Sequence, residues 1–183
     1  MLKINFGSGP GKLPGWLNVD VAPHYQPDLV ADLRQSLPFD DESIDFIHSE
    51  DFLVQLTIDE ALGFLRECRR ILKPSGVMRL LTPDLEKFAR MYLQQPTWLV
   101  ETWDKFVGVP LKTHTACEVF NIGIRMAGQF HYDRSTFKQI AALSGFSAYE
   151  VMANTSAYPE LRGIDLRRPD QSISMYFECV PTG

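Results

Sequence analysis

Four glycines and two prolines fall within ten residues of this chain, Gly7-Ser8-Gly9-Pro10-Gly11-Lys12-Leu13-Pro14-Gly15-Trp16. On one side lies Leu2 to Phe6, apolar at alternate positions. On the other lies Trp16 to Val21, closed by Pro23. Both read as short strands, and the first runs straight into a glycine loop. A parallel crossover normally takes a dozen or more residues and contains a helix. Ten residues this rich in helix breakers leave room for a single turn at most. The first helix of an alternating β/α fold is therefore expected to be shortened or absent, and one face of the sheet thinly covered.

The rest of the chain alternates strand and helix signals. Leu29 to Asp32 and Ile44 to His48 read as the third and fourth strands. Thr57, with Glu60 three residues on, has the spacing of a capping box. The helix it starts places Ile58, Ala61, Leu62, Leu65, Cys68 and Leu72 along one stripe and ends at Pro74-Ser75-Gly76. Val77 to Leu81 is almost continuously apolar, as a strand covered on both faces would be. A helix capped by Asp84 runs to Pro96, and another capped by Asp133 ends at Gly145. Phe146 to Met152 and Ser172 to Val180 read as two late strands. Such alternation predicts an α/β fold on a parallel sheet, with ligand sites beyond the carboxyl ends of the strands.

Length and charge narrow the function classes. The 183 residues suit one domain spanning 1–183, with no room for two ordinary ones. The formal net charge of −5 argues against a dedicated nucleic-acid module, which carries a basic face. Cys68, Cys117 and Cys179 are widely spaced and odd in number, so neither a disulfide framework nor a zinc site is expected. The sequence shows no membrane-length apolar run and no signal-peptide pattern near Met1, so a cytoplasmic location is expected.

The glycine loop sits where a ligand's backbone cradle belongs. Gly7, Gly9 and Gly11 allow a sharp turn and close approach to a ligand. Asp20 closes the second strand, where a carboxylate can accept the hydroxyls of a ribose. No helix N-terminus follows to bind a pyrophosphate, and no GxxxxGK[ST] string is present. A nucleoside without a diphosphate fits this pattern better than NAD or ATP.

The ordered strings Ile4-Asn5-Phe6-Gly7-Ser8-Gly9-Pro10 and Leu13-Pro14-Gly15-Trp16-Leu17-Asn18-Val19-Asp20 resemble the class I S-adenosylmethionine-dependent methyltransferases, closest to a bacterial, methyltransferase type 11-like branch. Ala31-Asp32-Leu33, Leu37-Pro38-Phe39, Ser43-Ile44-Asp45, Glu67 to Gly76, Thr82-Pro83-Asp84, His131-Tyr132-Asp133 and Leu161-Arg162-Gly163 continue the likeness. The resemblance implies a three-layer Rossmann-like sheet, mostly parallel with an antiparallel last strand, and S-adenosyl-L-methionine as cofactor. It implies that Gly7, Ser8 and Gly9 face the methionine end and ribose, and that Asp20 holds the ribose hydroxyls. It further implies Asp32 at the adenine amino group, Leu33 against the ring, and Ser49 and Glu50 near the amino acid part or the methyl donor. One departure stands out. Relatives carry Glu-His-Leu where this chain has Val54-Gln55-Leu56, so a nucleoside-binding protein without turnover stays open beside a methyltransferase.

Methyl transfer from a sulfonium needs alignment of two centres and neither metal nor covalent nucleophile. A base within hydrogen-bond reach of the acceptor helps. His131, just before the Asp133 cap, ranks first for that role and His114 second. His24 reads as a surface residue, His48 as structural, and Asp84 as spent on its helix. Asp51 follows the fourth strand at the functional edge. The segment of about 95–130 reads as a helical substrate cap, because seven aromatics fall between Tyr92 and Tyr132. A small or medium-sized acceptor, such as a sugar or cell-envelope precursor, is expected there, with no nucleic-acid or membrane partner. The thin face beside Gly7–Trp16 is a place for a second copy of the chain, giving a homodimer.

Overall fold

A computed structural model describes residues 1–126 and 128–183. The described chain forms seven strands and five α-helices in the following order. Strands β1 (Lys3–Phe6), β2 (Leu17–Asp20), β3 (Leu29–Val30) and β4 (Ile44–Glu50) come first, with no α-helix among them. Helix α1 (Ile58–Ile71) leads into β5 (Leu72–Pro83). Helices α2 (Leu85–Gln94), α3 (Pro96–Thr102), α4 (Ala116–Met126) and α5 (Arg134–Leu143) follow, then β6 (Phe146–Glu150) and β7 (Ser174–Pro181). The sheet order is β3-β2-β1-β4-β5-β7-β6. All neighbours through β5 are parallel, and β7 runs antiparallel to both β5 and β6. This is the mostly parallel sheet with an antiparallel last strand that the sequence led one to expect.

Local chemistry sets the helix ends. Thr57 Oγ1 accepts from Glu60 N while Glu60 Oε2 accepts from Thr57 N at 2.8 Å, completing the capping box. Asp84 and Asp133 cap α2 and α5 through Lys87 N and Thr136 N. Helix α1 ends earlier than its Pro-Ser-Gly signal. Leu72 is already extended and pairs with Ile44, while Val77 pairs with Phe46, so residues 73–76 bulge out of β5.

The two faces of the sheet are covered differently. Ile4, Phe6, Ile47, Met78, Leu80 and Phe177 point into the main core beneath α1 and α5. Phe6 packs edge-on to Phe64 of α1, and Phe137 of α5 stacks on Phe177 at 4.3 Å. Burying each such side chain contributes roughly 1.5–3 kcal/mol before entropy is counted. On the opposite face the third layer is made of loop. Leu13 and Trp16 of the glycine-rich segment join Val77 and Leu161, with Tyr158 and Ile164 packed against them. The face that the sequence leaves thin is thus covered by the chain's own residues 152–167, which removes the reason for placing a second copy there.

Asparagines do the work of the missing first helix. Asn18 Oδ1 accepts from Leu13 N, and its Nδ2 donates to the Leu13 and Trp16 carbonyls and to Asp28. Asn5 Nδ2 donates to Asn18 Oδ1 and to the Gly11 carbonyl. Buried loop amides that no helix satisfies are thereby paired.

Helices α2, α3 and α4 gather a second apolar cluster around Phe88, Leu99, Trp103, Leu111 and Val119. Gly123 of α4 lets Phe88 approach, since a Cβ there would lie 2.5 Å from its ring. This cluster includes α2, so the cap begins earlier in the chain than the 95–130 segment marked by aromatic density.

Candidate functional site

The carboxyl ends of β1, β2, β4 and β5 share one edge, and two cavities open there. The first, about 260 Å³, is walled by the glycine loop, His48, Glu50, Asp51, Leu166 and Arg167. Gly7 takes φ +64° and Gly9 φ +47°, conformations that favour glycine. Asp20, at the end of β2, accepts from Gly9 N and from Ala22 N, each at 2.8 Å. It therefore shapes the loop, one oxygen on each amide, and it is not among the residues that wall either cavity. Ser8 Oγ is buried without a hydrogen-bond partner among the described residues, which marks a polar atom suited to a ligand.

A strap formed by residues 165–167 roofs this cavity. The Glu50 carboxylate accepts from the backbone amides of Leu166 at 3.0 Å and Arg167 at 2.7 Å. Burial pushes the Glu50 carboxyl upward, and those two amide bonds only partly oppose it. Beside it, Asp51 Oδ2 accepts from Arg167 Nε at 2.8 Å. Burial by itself would lower the Arg167 guanidinium, but the charges of Asp51 and Glu50 outweigh it and raise it. Asp51 takes φ +56°, uncommon for a residue with a side chain, and its amide donates to Leu81 O. Its Oδ1 is shielded from solvent and has no partner among the described residues.

The strap is held from beneath by Arg79 of β5. Its Nε and Nη2 donate to Asp165, its Nη1 to Glu178, and the guanidinium also reaches the Met152 and Thr155 carbonyls. Burial would raise the Asp165 carboxyl, but the facing His48 and Arg79 bring it below its ordinary value. His48 lies buried between, its Nδ1 3.0 Å from Asn5 Oδ1 and its Nε2 3.8 Å from Asp165 Oδ1. The ring thus has a structural partner, and it also lines the first cavity.

The second cavity, about 310 Å³, lies under the helical cap, with Phe88, Trp98, Trp103 and Phe106 among its walls. Gln55, Asp51, His131 and Arg167 bring polar groups to it. Asp51 and Arg167 belong to the walls of both cavities, so this ion pair stands at their junction. His131 Nε2 lies 2.9 Å from the Ile124 carbonyl, which can only accept. Nε2 is therefore the donor in this contact.

The sequence-predicted residues divide between cavity and scaffold. Gly7, Ser8, Gly9 and Glu50 line the first cavity and His131 the second. Asp32 is held by the Arg34 guanidinium through two bonds of 2.9 Å, which keeps its carboxyl below the usual range. Leu33 is in the main core. Ser49 is fully buried, its Oγ unpartnered among the described residues, and it belongs to neither cavity. His114 stands on the surface 3.7 Å from Asp104, also outside both. At the departing triplet, Val54 and Leu56 are buried while Gln55 faces the second cavity. The Val54 carbonyl accepts from Gln129 N at 2.8 Å, anchoring the return from the cap. Arg167 leaves no local signal in the sequence, because its partner Asp51 lies 116 residues away. Among the described residues no cluster could hold a metal ion, and no helix is long and apolar enough to cross a membrane.

Comparison with known proteins fits this architecture. Residues 18–80 match the family described as methyltransferase domain. No curated protein matches the sequence. Among solved structures, one similar chain comes from the complex of the Haloferax volcanii Trm112 methyltransferase activator with a candidate methyltransferase. It is 14% identical with a TM-score of 0.58, over 100% of this chain and 82% of that one. A Pyrococcus horikoshii protein is 16% identical with a TM-score of 0.57, over 98% and 81%. An S-adenosylmethionine-dependent methyltransferase from Clostridium acetobutylicum is 9% identical with a TM-score of 0.59, over 99% and 84%. The domain-family match spans β2 to β5, and along its whole length the chain shares the fold of these methyltransferase structures.

Proposed function

We propose that this chain binds S-adenosyl-L-methionine in the glycine-loop cavity and methylates a small acceptor held under the helical cap. The observation that carries this reading is the junction: two cavities, one beneath a glycine loop and one walled by aromatics, share Asp51 and Arg167 at the carboxyl edge of the sheet. The first suits a nucleoside without a diphosphate, as its loop has Ser8 Oγ, unpartnered among the described residues, and the Asp20 carboxylate nearby. Gly7 to Gly9 and Asp20 would hold the ribose and methionine portions, with Glu50 at the strap side. The cofactor supplies a methyl group on a sulfonium sulfur.

The chain supplies alignment and exclusion of water. The strap roofs the first cavity and the aromatic cap the second, so the two reacting centres would be aligned at the junction, where orientation lowers much of the barrier. His131 lines the acceptor cavity, while His114 lines neither cavity.

Calorimetric titration with S-adenosylmethionine and S-adenosylhomocysteine tests the binding half. Saturable binding at micromolar concentration is the expected result, and no heat up to high micromolar ligand would end the reading. Transfer of a labelled methyl group across a panel of hydroxyl and amine acceptors tests the other half. Tight binding with no transfer to any of them would leave a nucleoside-binding protein instead.

A further inference from the structure

We infer that the acceptor is a flat, apolar molecule bearing a single hydroxyl or amine, and that Asp51 takes the hydrogen of that group. The inference deepens the methyltransferase reading and rests on it for the transfer step, although occupancy of the cavity by such a molecule is independent of it.

The walls decide the class. Trp98, Trp103, Phe88 and Phe106 present rings to a space of about 310 Å³, at the lower end of the range for small-molecule sites. A polyhydroxylated sugar placed there would set part of its hydroxyl-bearing surface against rings that offer no hydrogen-bond partner. An aromatic or other flat body loses little, and its one polar group needs one polar partner.

The junction supplies that partner. Of the carboxylates at the sheet edge, Glu50 is committed to two strap amides and lines only the first cavity. Asp84 lies outside both cavities, with its oxygens on Lys87 N and Arg134. Asp51 lines both cavities. Arg167 engages only its Oδ2, leaving Oδ1 unpartnered among the described residues. His131 lines the acceptor side alone. In the transfer, the acceptor's lone pair forms the bond to the methyl carbon as the carbon–sulfur bond breaks. The electron pair of the broken bond stays on sulfur, leaving a neutral thioether, and the acceptor's proton passes to the Asp51 carboxylate.

Two probes with the same ring system test this, 2-naphthol and 2-methoxynaphthalene, the second carrying a methyl group in place of the hydrogen that Asp51 would receive. Both absorb tryptophan emission, and two of the three tryptophans wall the cavity. The wild-type chain should bind 2-naphthol about tenfold more tightly than its methyl ether, the worth of one hydrogen bond to a charged group. Asp51→Gly, chosen because glycine adopts φ +56° freely, should cut the preference below twofold while the ether binds as before. Should that variant fail to fold, Asp51→Asn should cut it below threefold. Equal affinities in the wild type, no quenching by either probe, or a full preference in the folded variant would overturn the inference. Retention in Asp51→Gly with loss in His131→Phe would move the role to His131. A parallel titration with S-adenosylhomocysteine keeps the two readings apart. Its failure alone sinks the cofactor assignment, and failure of the naphthol preference alone sinks this one.

Discussion

Arg79 of β5 donates from Nε and Nη2 to the two carboxylate oxygens of Asp165, 86 residues away, and neither side chain has any solvent exposure. A bidentate pair of this kind is both directional and costly to break. It fixes the loop layer that packs on Val77 and Trp16, and the strap that crosses the glycine loop is its direct continuation. Replacing Arg79 with Met leaves Asp165 and Glu178 buried without their cation. The expected loss is about 3–5 kcal/mol of stability, read from the urea midpoint. A change below about 1 kcal/mol would mean that the strap is anchored elsewhere.

Gly7 and Gly9 both have positive φ, yet they should respond differently to alanine. At Gly7 a Cβ would sit 2.8 Å from Phe52 Cβ, whereas at Gly9 it meets nothing within 4 Å. Gly9→Ala should cost about 1 kcal/mol in stability, from the backbone alone. Gly7→Ala should cost more, because a packed aromatic must move as well. Thermal melts compare them, and equal losses would contradict the packing difference. Gly9→Ala should also weaken S-adenosylhomocysteine binding, since the added methyl group projects into open space beside the ligand cavity.

Asp20 has two duties, so its removal should show in two measurements. Asp20→Ala should weaken cofactor binding by about 1–3 kcal/mol in calorimetry, the range for a hydrogen bond to a charged group. It should also speed amide exchange at Gly9, whose N–H loses its acceptor. Unaltered affinity with faster exchange would reduce Asp20 to a loop-shaping residue.

Glu67 of α1 ties down the connection between β3 and β4, which has no helix of its own. It accepts from Leu37 N and from the Arg70 guanidinium, and Arg70 reaches on to the Leu37 and Phe39 carbonyls. The bonds from Arg70 lower the Glu67 carboxyl to about 2. A carboxyl lowered by folding stabilises fully above its unfolded value and loses that contribution as pH falls through the folded one. Glu67→Gln should therefore cost about 1–2 kcal/mol at pH 7, less than a fully buried pair because water reaches Arg70. The gap to the wild type should narrow below about pH 4.5 and close near pH 2. A gap constant with pH would show that packing, not charge, is responsible.

Much of the scaffold was legible from residue order. The ten residues from Gly7 to Trp16 announced a missing helix, because four glycines and two prolines cannot carry one across a parallel connection. Capping residues Thr57, Asp84 and Asp133 placed three helix starts, since each satisfies amides within its own first turn. The glycine loop and its carboxylate were visible for the same reason: their geometry is local. The bulge at residues 73–76 was not, because it depends on how β5 meets β4.

The chain order alone thus determined a parallel α/β sheet with a glycine-lined edge and an aromatic cap beyond it. The tertiary structure decided what stands between them. Arg167 reads as one of several surface arginines until residues 152–171 fold back and set it on Asp51, and Asp51 reads as an ordinary acid after a strand until two cavities meet at it. Hydrophobic period and capping act over a few residues and leave a mark in the sequence. An ion pair between positions 51 and 167 is made by the closure of the third layer, and only the packed fold brings its two charges together.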